Sequence, residues 1–497
     1  MDLFLGLDVG TTATKALLFD LEGNVIASAG HNYDLITSHE GWVEQDPEDL
    51  WRGVVKTSRQ VLAKTSPGDR VLALGLSSQG GTTIATDAQG RPLFNAISWM
   101  DQRGKAQAER VRADLGANLV YQTSGWKLQN GLPLVHILWL REHEPQTFVA
   151  AHKFLFVSDF VTYRLTGRYC TDPSSASITQ LYNVKTGDWD WQLLEMADIE
   201  RERLSPVKPS GVPVGTLTSA ASKETGLPRG VVVVNGAHDQ YCAALGAGVL
   251  RPGEMLLSCG TAWVILGVLE RLIMDIDERL AISRHVIEGR WGGMVSMGGV
   301  GTVLEWYLDN ILRRAEVGRS HLYRLFNEEA SQSPPGANGL LFFPLVGGHV
   351  TWLGGEGALL HLSLTHSRCD MARALMEGIA YELRWVIEEM RDKGVEANEL
   401  KMVGGAAKSP IWPQIVADVT GMQVILPTTK DAASRGAAIL AGVGCGVFNH
   451  PEQGFAAFRT QELHLPPDRE STATYDESFG IYRQGYERLW GVHRGHQ

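Results

Sequence analysis

Short apolar runs alternate with amphipathic segments along the chain. LFLGLDVG, VLALGLSSQ and VVVV have the length and composition of buried strands, and TKALLFDLEGNVIASA continues the first run as a hairpin with a further turn at residues 22–24. PEDLWRGVVKTSRQVLAKT has helical spacing. The second half repeats the theme with GEMLLSCGTAWVILGVL, ANGLLFFPLV, a helix from about 370 to 390, and ELKMVGGAA. This alternation predicts an α/β fold.

One short pattern occurs near the start of each half. LGLDVGTT at 5–12 and LLSCGTA at 256–262 both predict a strand, a Gly-Thr turn and a second strand. They lie about 250 residues apart in a chain of 497 residues, which is longer than one domain usually is. We therefore predict two related domains facing a shared cleft, residues 1–247 and 248–497, joined at the Gly- and Pro-containing GAGVLRPGE.

The amino-acid composition argues against two classes of binding partner, nucleic acids and membranes. The chain is 44% hydrophobic and 20% charged, as in ordinary globular proteins, and its net charge of −11 without a basic run argues against nucleic acid. Five scattered cysteines without a CxxC pair predict a reducing cytoplasm and no zinc site. MDLFLGLDVG lacks the features of a signal peptide, and no apolar run has the length of a membrane span. We expect neither a nucleic-acid nor a membrane partner.

The stretch VVVVNGAHDQYCAALGAG, residues 231–248, places a carboxylate between an apolar strand and a helix of small residues. One interpretation is that Asp239 is the N-cap of that helix, a position that aspartate favours. The other is that Asp239 lies at the edge of a parallel sheet, where α/β proteins bind their ligands. Neighbouring side chains on an extended segment point in opposite directions, so we expect a structural role for His238.

Three glycine-containing turns are candidate nucleotide contacts. In LGLDVGTTATK, Asp8 precedes a turn whose glycine and threonines suit an anion, and the carboxylate suits Mg²⁺; a plain hairpin is the alternative. Residues 260–261 form a second Gly-Thr turn. Residues 404–407 end a strand without bulky side chains, which leaves a flat surface for a base or ribose, although close strand–helix packing also requires glycine.

These segments, in this order and spacing, resemble the FGGY family of carbohydrate kinases along nearly the whole chain. Further matching stretches are ISWMDQR at 97–103, DFVTYRLTGRYCTDPSSAS at 159–177, GVLRPGE at 248–254 and RALMEGIAYELRW at 373–385. The family is similar in fold to actin and the heat-shock chaperone ATPases. The resemblance therefore implies two ribonuclease-H-like domains hinged over a nucleotide cleft.

The resemblance also implies the roles of individual residues. Asp239 falls on the catalytic base of the family, and Asp8 on a position that could hold Mg²⁺. The nucleotide contacts that it implies for ATP are Asp8, Gly10, Thr11, Thr12 and Lys15 in the first phosphate loop, Gly260 and Thr261 in the second, and Gly404, Gly405, Ala406 and Ser409 at the adenosine.

The substrate pocket of the family draws on the region after the GLSS strand, on ISWMDQR, and on the base with its neighbour. The corresponding residues here are Gln79, Gly80, Gly81, Asp101, Asp239 and Gln240. Typical xylulokinases have Met-His and glycerol kinases Arg-Glu where this chain has the two glycines, so we expect extra room in the pocket. Gln240 is similar to glycerol kinases. Trp99 is expected in the core or the pocket wall, and Asp101 with Arg103 has the alternative of a structural ion pair.

The expected activity is ATP-dependent phosphorylation of a hydroxyl on a small sugar or polyol, most closely a pentulose such as D-xylulose. The first alternative is a kinase of glycerol, erythritol or another polyol. A second alternative, from a different class, is an actin-like ATPase without sugar kinase activity, which the fold alone would permit. Asp239 and ISWMDQR argue against that alternative. The resemblance also implies a homodimer, and the cysteine pattern predicts a location in the cytoplasm.

Overall fold

The computed structural model describes residues 1–260, 262–312, 318–346, 355–459 and 461–491. Its strands, numbered in chain order, are β1 (Asp2–Val9), β2 (Ala13–Phe19), β3 (Val25–Asn32), β4 (Glu44–Gln45), β5 (Arg70–Ser78), β6 (Ile84–Thr86), β7 (Ala96–Ile97), β8 (Lys153–Leu155), β9 (Tyr182–Asn183), β10 (Asp188–Trp189), β11 (Pro213–Thr216), β12 (Val232–His238), β13 (Gly253–Cys259), β14 (Trp263–Leu269), β15 (Ala281–Arg284), β16 (Trp291–Met297), β17 (Leu341–Phe343), β18 (Ala358–Leu360), β19 (Ala397–Gly404), β20 (Gln423–Pro427) and β21 (Glu462–Leu465).

The α-helices are α1 (Pro47–Leu62), α2 (Lys105–Asp114), α3 (Ala117–Ser124), α4 (Pro133–His143), α5 (Pro145–Ala150), α6 (Val157–Thr166), α7 (Pro173–Ser177), α8 (Trp191–Ala197), α9 (Ser219–Thr225), α10 (Asp239–Ala247), α11 (Val300–Asn310), α12 (Arg319–Ser331), α13 (Arg368–Asp392), α14 (Trp412–Thr420), α15 (Ala432–Gly444), α16 (Pro451–Ala457) and α17 (Arg469–Trp490). Short 3₁₀ turns cover Arg201–Arg203, Ala337–Gly339 and Ala406–Lys408. No helix in the described ranges has the length and apolarity needed to cross a membrane.

The chain forms two compact units, each assembled from separate segments. Unit 1 contains Met1–Arg251, Val268–Gly293 and Thr429–Thr460, and unit 2 contains Pro252–Gly267, Met294–Thr428 and Gln461–Gln497, as far as the structure describes them. The predicted division into residues 1–247 and 248–497 concerns two related halves of the sequence, and it stays a prediction.

The main sheet of unit 1 has the strand order β11-β12-β5-β1-β2-β3. Strand β1 pairs antiparallel with β2 and parallel with β5, and β5 pairs parallel with β12. The hairpin and the buried valine strand predicted from the sequence are therefore confirmed. Because β1, β5 and β12 are parallel, their carboxyl ends share one edge of the sheet, which carries Asp8, Ser77 and His238.

Helix α15 lies directly against the backbone of this sheet and of α10. A Cβ added to Gly6 in β1 or to Gly75 in β5 would come under 3.0 Å from a carbonyl oxygen of α15. Gly436 within α15 has the same closeness to a carbonyl oxygen of α10. Glycine at these positions is thus required by the approach of two backbones, and α15 joins unit 1 although it lies near the end of the sequence.

Unit 2 repeats the local pairing of unit 1. Strand β13 pairs antiparallel with β14 and parallel with β19, and β19 continues parallel to β20. This arrangement matches that of β1, β2 and β5, so the pattern that the two halves of the sequence share corresponds to the same strand–turn–strand structure. The predicted helix from about 370 to 390 is confirmed as α13.

The close packing of α15 predicts a large effect of one methyl group. We expect Gly75→Ala to reduce the stability of the protein by about 2–4 kcal/mol, because the methyl group meets a backbone carbonyl that cannot rotate away. Gly30→Ala in β3 is the matched control, since its nearest atom would be 4.0 Å away. Urea unfolding of both variants tests this expectation, and equal unfolding midpoints would contradict it.

A buried carboxyl in unit 2 predicts a pH dependence of stability. Glu382 accepts a hydrogen bond of 2.6 Å from Tyr482 Oη, and burial raises the pKa of Glu382 from 4.5 to about 7. The folded state therefore binds the proton more tightly than the unfolded chain, and this contribution is fully present below about pH 4.5 and lost as the pH rises through about 7.

Glu382→Gln should remove this dependence, because the amide does not ionise. We expect the stability of the variant relative to the wild type to increase by roughly 2–3 kcal/mol between pH 4.5 and pH 8. Urea unfolding at several pH values measures the difference. Glu477→Gln, at an exposed position of α17, is the control and should follow the wild type. A constant difference between Glu382→Gln and the wild type at all pH values would contradict the expectation.

Candidate active site

Asp8 lies at the carboxyl end of β1 with its side chain almost fully buried. Its Oδ1 accepts a hydrogen bond of 2.8 Å from Ser77 Oγ, and its Oδ2 is 3.8 Å from Lys15 Nζ. Burial raises the pKa of Asp8 to about 7, and the negative charges of Asp431 and Asp239 act in the same direction. The edge of the sheet thus gathers three carboxylates near one lysine.

Lys15 forms ion pairs with two of these carboxylates, Asp8 and Asp431. Its Nζ donates a hydrogen bond of 2.7 Å to Asp431 Oδ2. Asp431 is also the N-cap of α15, where its Oδ1 accepts from the backbone N–H of Ser434 at 2.8 Å. Burial disfavours the charge on Asp431, but Lys15 overcomes this effect and holds the pKa of Asp431 below its ordinary value. The ammonium group of Lys15 therefore lies beside Asp431 and Asp8 while its side chain is 48% exposed, and its contact with a phosphate stays a prediction.

The site suits a hydrated divalent cation better than a fully protein-bound one. Among the described residues, no group of three or more His, Cys, Asp or Glu side chains has the arrangement of a metal site. Mg²⁺ is usually held by one or two carboxylates and completes its shell with water and phosphate oxygens. Burial is the main cause of the raised pKa of Asp8 and Lys15 offsets only part of it, so a bound cation would further favour the charged carboxylate.

The turn after β1 is fixed by a network of side chains. Thr11 Oγ1 donates to Gln79 Oε1 at 2.8 Å, and Gln79 Nε2 donates to Gln45 Oε1 at 2.9 Å. Gln45 Nε2 in turn donates to the carbonyl oxygen of Thr11 at 2.7 Å. Gln79, which the family resemblance assigned to the substrate pocket, lies beside the first turn, and both ends of its amide take part in this network. Gln45 was missed, because no motif marked it.

The remaining residues of this turn stay open to ligands. Gly10 donates its N–H to the carbonyl oxygen of Ala13 at 2.9 Å, which closes the turn. Thr12 is exposed, and Gly10 and Thr11 are half-buried. Trp99 Nε1 donates to Thr11 Oγ1 at 3.0 Å. The side chain of Thr12 and the backbone of the turn are thus accessible to a phosphate group.

Asp239 is the first residue of α10 and does not cap it. The N-cap residue is His238, and no side chain caps this helix end. The interpretation of Asp239 as an N-cap is therefore wrong. Its side chain is 30% exposed, and its negative charge contributes to raising the pKa of Asp8. The carboxylate of Asp239 is thus partly open to solvent and near Asp8.

His238 lies on the same side as Asp239, contrary to the expectation from strand alternation. Its Nε2 is 3.5 Å from Asp239 Oδ1. The alternation ends because β12 stops at His238 and α10 begins at the next residue. Gln240 follows within the helix, half-buried, with its Oε1 buried and without a hydrogen-bond partner among the described residues.

The expected extra room beside Gly80 and Gly81 is absent. A Cβ on Gly80 would lie 2.5 Å from Cδ2 of His238, and a Cβ on Gly81 would lie 2.8 Å from Cδ2 of Leu132. Gly81 also has φ = +77°, which favours glycine for its backbone alone. Other side chains have taken the volume that the two missing side chains would fill.

The ISWMDQR stretch divides into a buried and an exposed part. Asp101 is fully buried and accepts hydrogen bonds from the backbone N–H of Val43 and from Arg103, whose guanidinium also pairs with Glu44 at 2.7 Å. These surroundings favour the structural ion pair over a substrate contact for Asp101. Trp99 is 42% exposed, so it is not a core residue and forms a wall beside Gly81.

Unit 2 contains a cavity of about 770 Å³ whose lining includes Gly260, Gly405, Ala406 and Ser409. Gly404 lies just behind this lining with φ = +96°, where a Cβ would be 2.5 Å from the carbonyl oxygen of Cys259. The structure thus brings together the sequence-predicted adenosine contacts and the start of the second phosphate turn. Thr261 lies outside the described residues.

The aromatic wall of this cavity was missed by the sequence analysis. Tyr323, Phe326 and Trp412 line it, together with Asn327, whose Oδ1 accepts a hydrogen bond from Ser409 Oγ. Most of these residues come from α12, which carries no motif and only helical spacing. A cavity of this volume, apolar with a few polar groups, is typical of a small-molecule site.

Comparison with known proteins identifies the family of this chain. The model of the N-terminal domain of the FGGY family of carbohydrate kinases matches residues 3–246, and that of the C-terminal domain matches residues 255–445. The chain belongs to the FGGY family of carbohydrate kinases. The family resemblance predicted from the sequence is confirmed, and the protein is a phosphotransferase with an alcohol group as acceptor.

Individual relatives are similar over nearly their whole length. The chain is 31% identical to a xylulose kinase of Staphylococcus epidermidis, covering 98% of this chain and 97% of the relative. It is 30% identical to an autoinducer-2 kinase of Salmonella paratyphi A, covering 99% and 94%. The structure of a xylulose kinase from Rhodospirillum rubrum matches with a TM-score of 0.90 and 27% identity, covering 98% and 99%. The α/β, actin-like fold is confirmed, and kinases of this family use ATP.

The cavity of unit 2 predicts where a nucleotide contacts the protein. We expect Ala406→Leu to weaken ADP binding at least about tenfold, because the larger side chain enters the cavity where a base or ribose would lie. Ala407→Leu is the matched control, since its side chain is half-buried but does not line the cavity. Calorimetric titration with ADP measures both affinities, and equal weakening by the two variants would contradict the assignment.

Proposed function

We propose that this kinase transfers the γ-phosphoryl group of ATP to a hydroxyl of a small sugar or polyol, with a pentulose such as D-xylulose as the favoured acceptor. The observation that carries the proposal is Asp239. Its carboxylate stands at the end of a buried parallel strand, partly exposed, unused as a helix cap, and close enough to Asp8 to affect the pKa of that residue.

Asp239 acts as the general base in this proposal. Phosphoryl transfer depends mainly on positioning and on stabilisation of charge, so the hydroxyl needs to lose its proton only as the new bond forms. A partly exposed carboxylate at the sheet edge can accept that proton. Its place in the first turn of α10 also lets the helix dipole stabilise the negative charge.

Asp8, Lys15 and the Gly10–Thr12 turn hold the phosphate end of the nucleotide in this proposal. Mg²⁺, when bound, neutralises charge on the phosphate oxygens, and the carboxylate of Asp8 is the group of this chain that would hold the hydrated ion. Thr12 and the turn backbone offer donors to phosphate oxygens, with Thr11 held in place by Gln79. The adenosine occupies the cavity lined by Ala406 in unit 2.

The choice of a pentulose rests on similarity and on the pocket walls. Relatives named xylulose kinase and autoinducer-2 kinase are similar to the chain at 31% and 30% identity. Glycerol kinases typically have glutamine at the position of Gln240, so a polyol is the alternative acceptor. The exposed ring of Trp99 suits the C–H face of a sugar, and the filled space beside Gly80 favours a small acceptor.

The five free thiols support a cytoplasmic location.

A panel of acceptors tests the proposed reaction. We expect Mg²⁺-dependent ADP release with one acceptor among D-xylulose, L-xylulose, D-ribulose, autoinducer-2, glycerol, erythritol and xylitol. Asp239→Asn should lower kcat by about 10²–10⁴-fold and leave ADP affinity unchanged, because the amide cannot accept the proton. Asp114→Asn, exposed at the end of α2, is the control.

The outcomes separate the alternatives. Strongest release with glycerol or erythritol would replace the pentulose with a polyol as acceptor. ADP release at one rate with and without every acceptor would favour the actin-like ATPase. Full activity of Asp239→Asn would show that another group takes the proton.

A further inference from the structure

A second titratable side chain lies beside Asp239. His238 is only 6% exposed, and its Nε2 is 3.5 Å from Asp239 Oδ1. Its Nδ1 is buried and has no hydrogen-bond partner among the described residues. The imidazole thus has one edge towards the carboxylate and the other buried without a hydrogen-bond partner among the described residues.

Neighbouring groups fix the orientation of this imidazole. The backbone N–H of His238 donates to Ser174 Oγ at 3.0 Å. The rings of Trp126 and Tyr241 flank the imidazole at centroid distances of 6.4 and 6.2 Å. Trp126 is itself held, because its Nε1 donates to Ser283 Oγ at 3.0 Å. The ring of His238 therefore sits between anchored aromatic side chains.

Gly80 provides the space that the imidazole occupies. A Cβ at Gly80 would lie 2.5 Å from Cδ2 and 2.8 Å from Nε2 of His238. Gly80 does not have a positive φ, so its backbone conformation does not require glycine. The closest contacts are with His238, while Cδ1 of Ile178, at 3.0 Å, is the end of a flexible side chain, so a side chain at position 80 chiefly excludes the observed position of the imidazole.

The surroundings also select the tautomer of a neutral His238. A neutral imidazole carries one N–H, and a buried N–H without an acceptor is costly. Placing the proton on Nε2 directs it to the carboxylate, whereas placing it on Nδ1 leaves it without an acceptor. The side facing Asp239 is therefore a hydrogen-bond donor.

We propose that His238 is a positioning residue that holds the carboxylate of Asp239 in one orientation, and that Gly80 is glycine to admit it. The inference rests on the proposed role of Asp239 as general base. The carboxylate makes no cap bond to α10, so the Nε2–H of His238 is the donor that selects its rotamer. Catalytic hydrogen bonds are often long before the substrate binds, which agrees with the separation of 3.5 Å.

Four variants test this role: His238→Ala, His238→Gln, Gly80→Ala and the double variant of Gly80→Ala with His238→Ala. We expect His238→Ala to lower kcat about 10–100-fold with a change in KM of less than about threefold, because the base is misplaced but the pocket remains. His238→Gln should recover at least about threefold of this loss, since its amide N–H reaches the same place. ADP affinity should stay unchanged in all four.

The double variant separates positioning from simple packing. Gly80→Ala alone should lower kcat and the urea midpoint of unfolding, because its methyl group displaces the imidazole. In the His238→Ala background the same methyl group should lower kcat and the unfolding midpoint much less, because only the flexible end of Ile178 is then close to it. Gly30→Ala is the control for the change from glycine to alanine. Additive effects in the double variant, or full kcat in His238→Ala, would overturn the proposal.

The experiment also distinguishes this inference from the proposed function. If the wild type phosphorylates no acceptor, or if Asp239→Asn has the same kcat as the wild type, then Asp239 is not the general base. The positioning role of His238 is then overturned as well. The steric coupling of Gly80 and His238 is then judged by the unfolding midpoints alone. If Asp239→Asn is inactive while His238→Ala keeps full kcat, the kinase function stands and only the positioning role is overturned.

Discussion

The close approach of α15 to the sheet of unit 1 is the constraint on which the site depends. Glycines 6, 75, 246 and 436 remove the side chains that would hold the backbones apart. The helix therefore begins directly beside the end of β1, and its N-cap, Asp431, reaches Lys15. Larger residues at those glycines would move the helix away from the sheet, together with the carboxylate to which Lys15 donates its hydrogen bond.

That packing creates an electrostatic conflict at the edge of the sheet. Asp8 and Asp239 share one neighbourhood with Asp431, and Lys15 alone among them is positive. Burial raises the pKa of Asp8 to about 7, and the negative charges of Asp431 and Asp239 act in the same direction, which is a cost that the folded protein bears. A cation bound to phosphate would stabilise the charged carboxylate of Asp8. The unfavourable free energy of that charge in the ligand-free protein would therefore be relieved when the cation binds.

Strand-level features of this protein were predictable from the sequence, and most side-chain relations across the site were not. The valine run of β12 and the repeated strand–turn–strand pattern carry periodicity and turn residues, so local physics identified them. The filled space at Gly80 was not predictable, because it depends on a ring that arrives from residue 238. Gln45 and the aromatic wall from α12 also lacked a local signal. Alternation failed at His238, since the strand changes into a helix there.

Unit 1 is completed by a segment that lies far along the chain from its first strands. Strand β1 spans Asp2–Val9, whereas the helix packed on it spans Ala432–Gly444. During synthesis the face of β1 and β5 that α15 covers stays without its helix until the intervening residues and α15 itself have been made. Closing a loop of more than 400 residues (from Gly6 to Ser434) adds entropic cost and delay. A chain that stops short of α15 would expose this apolar sheet face, which makes truncated products candidates for chaperone capture and degradation.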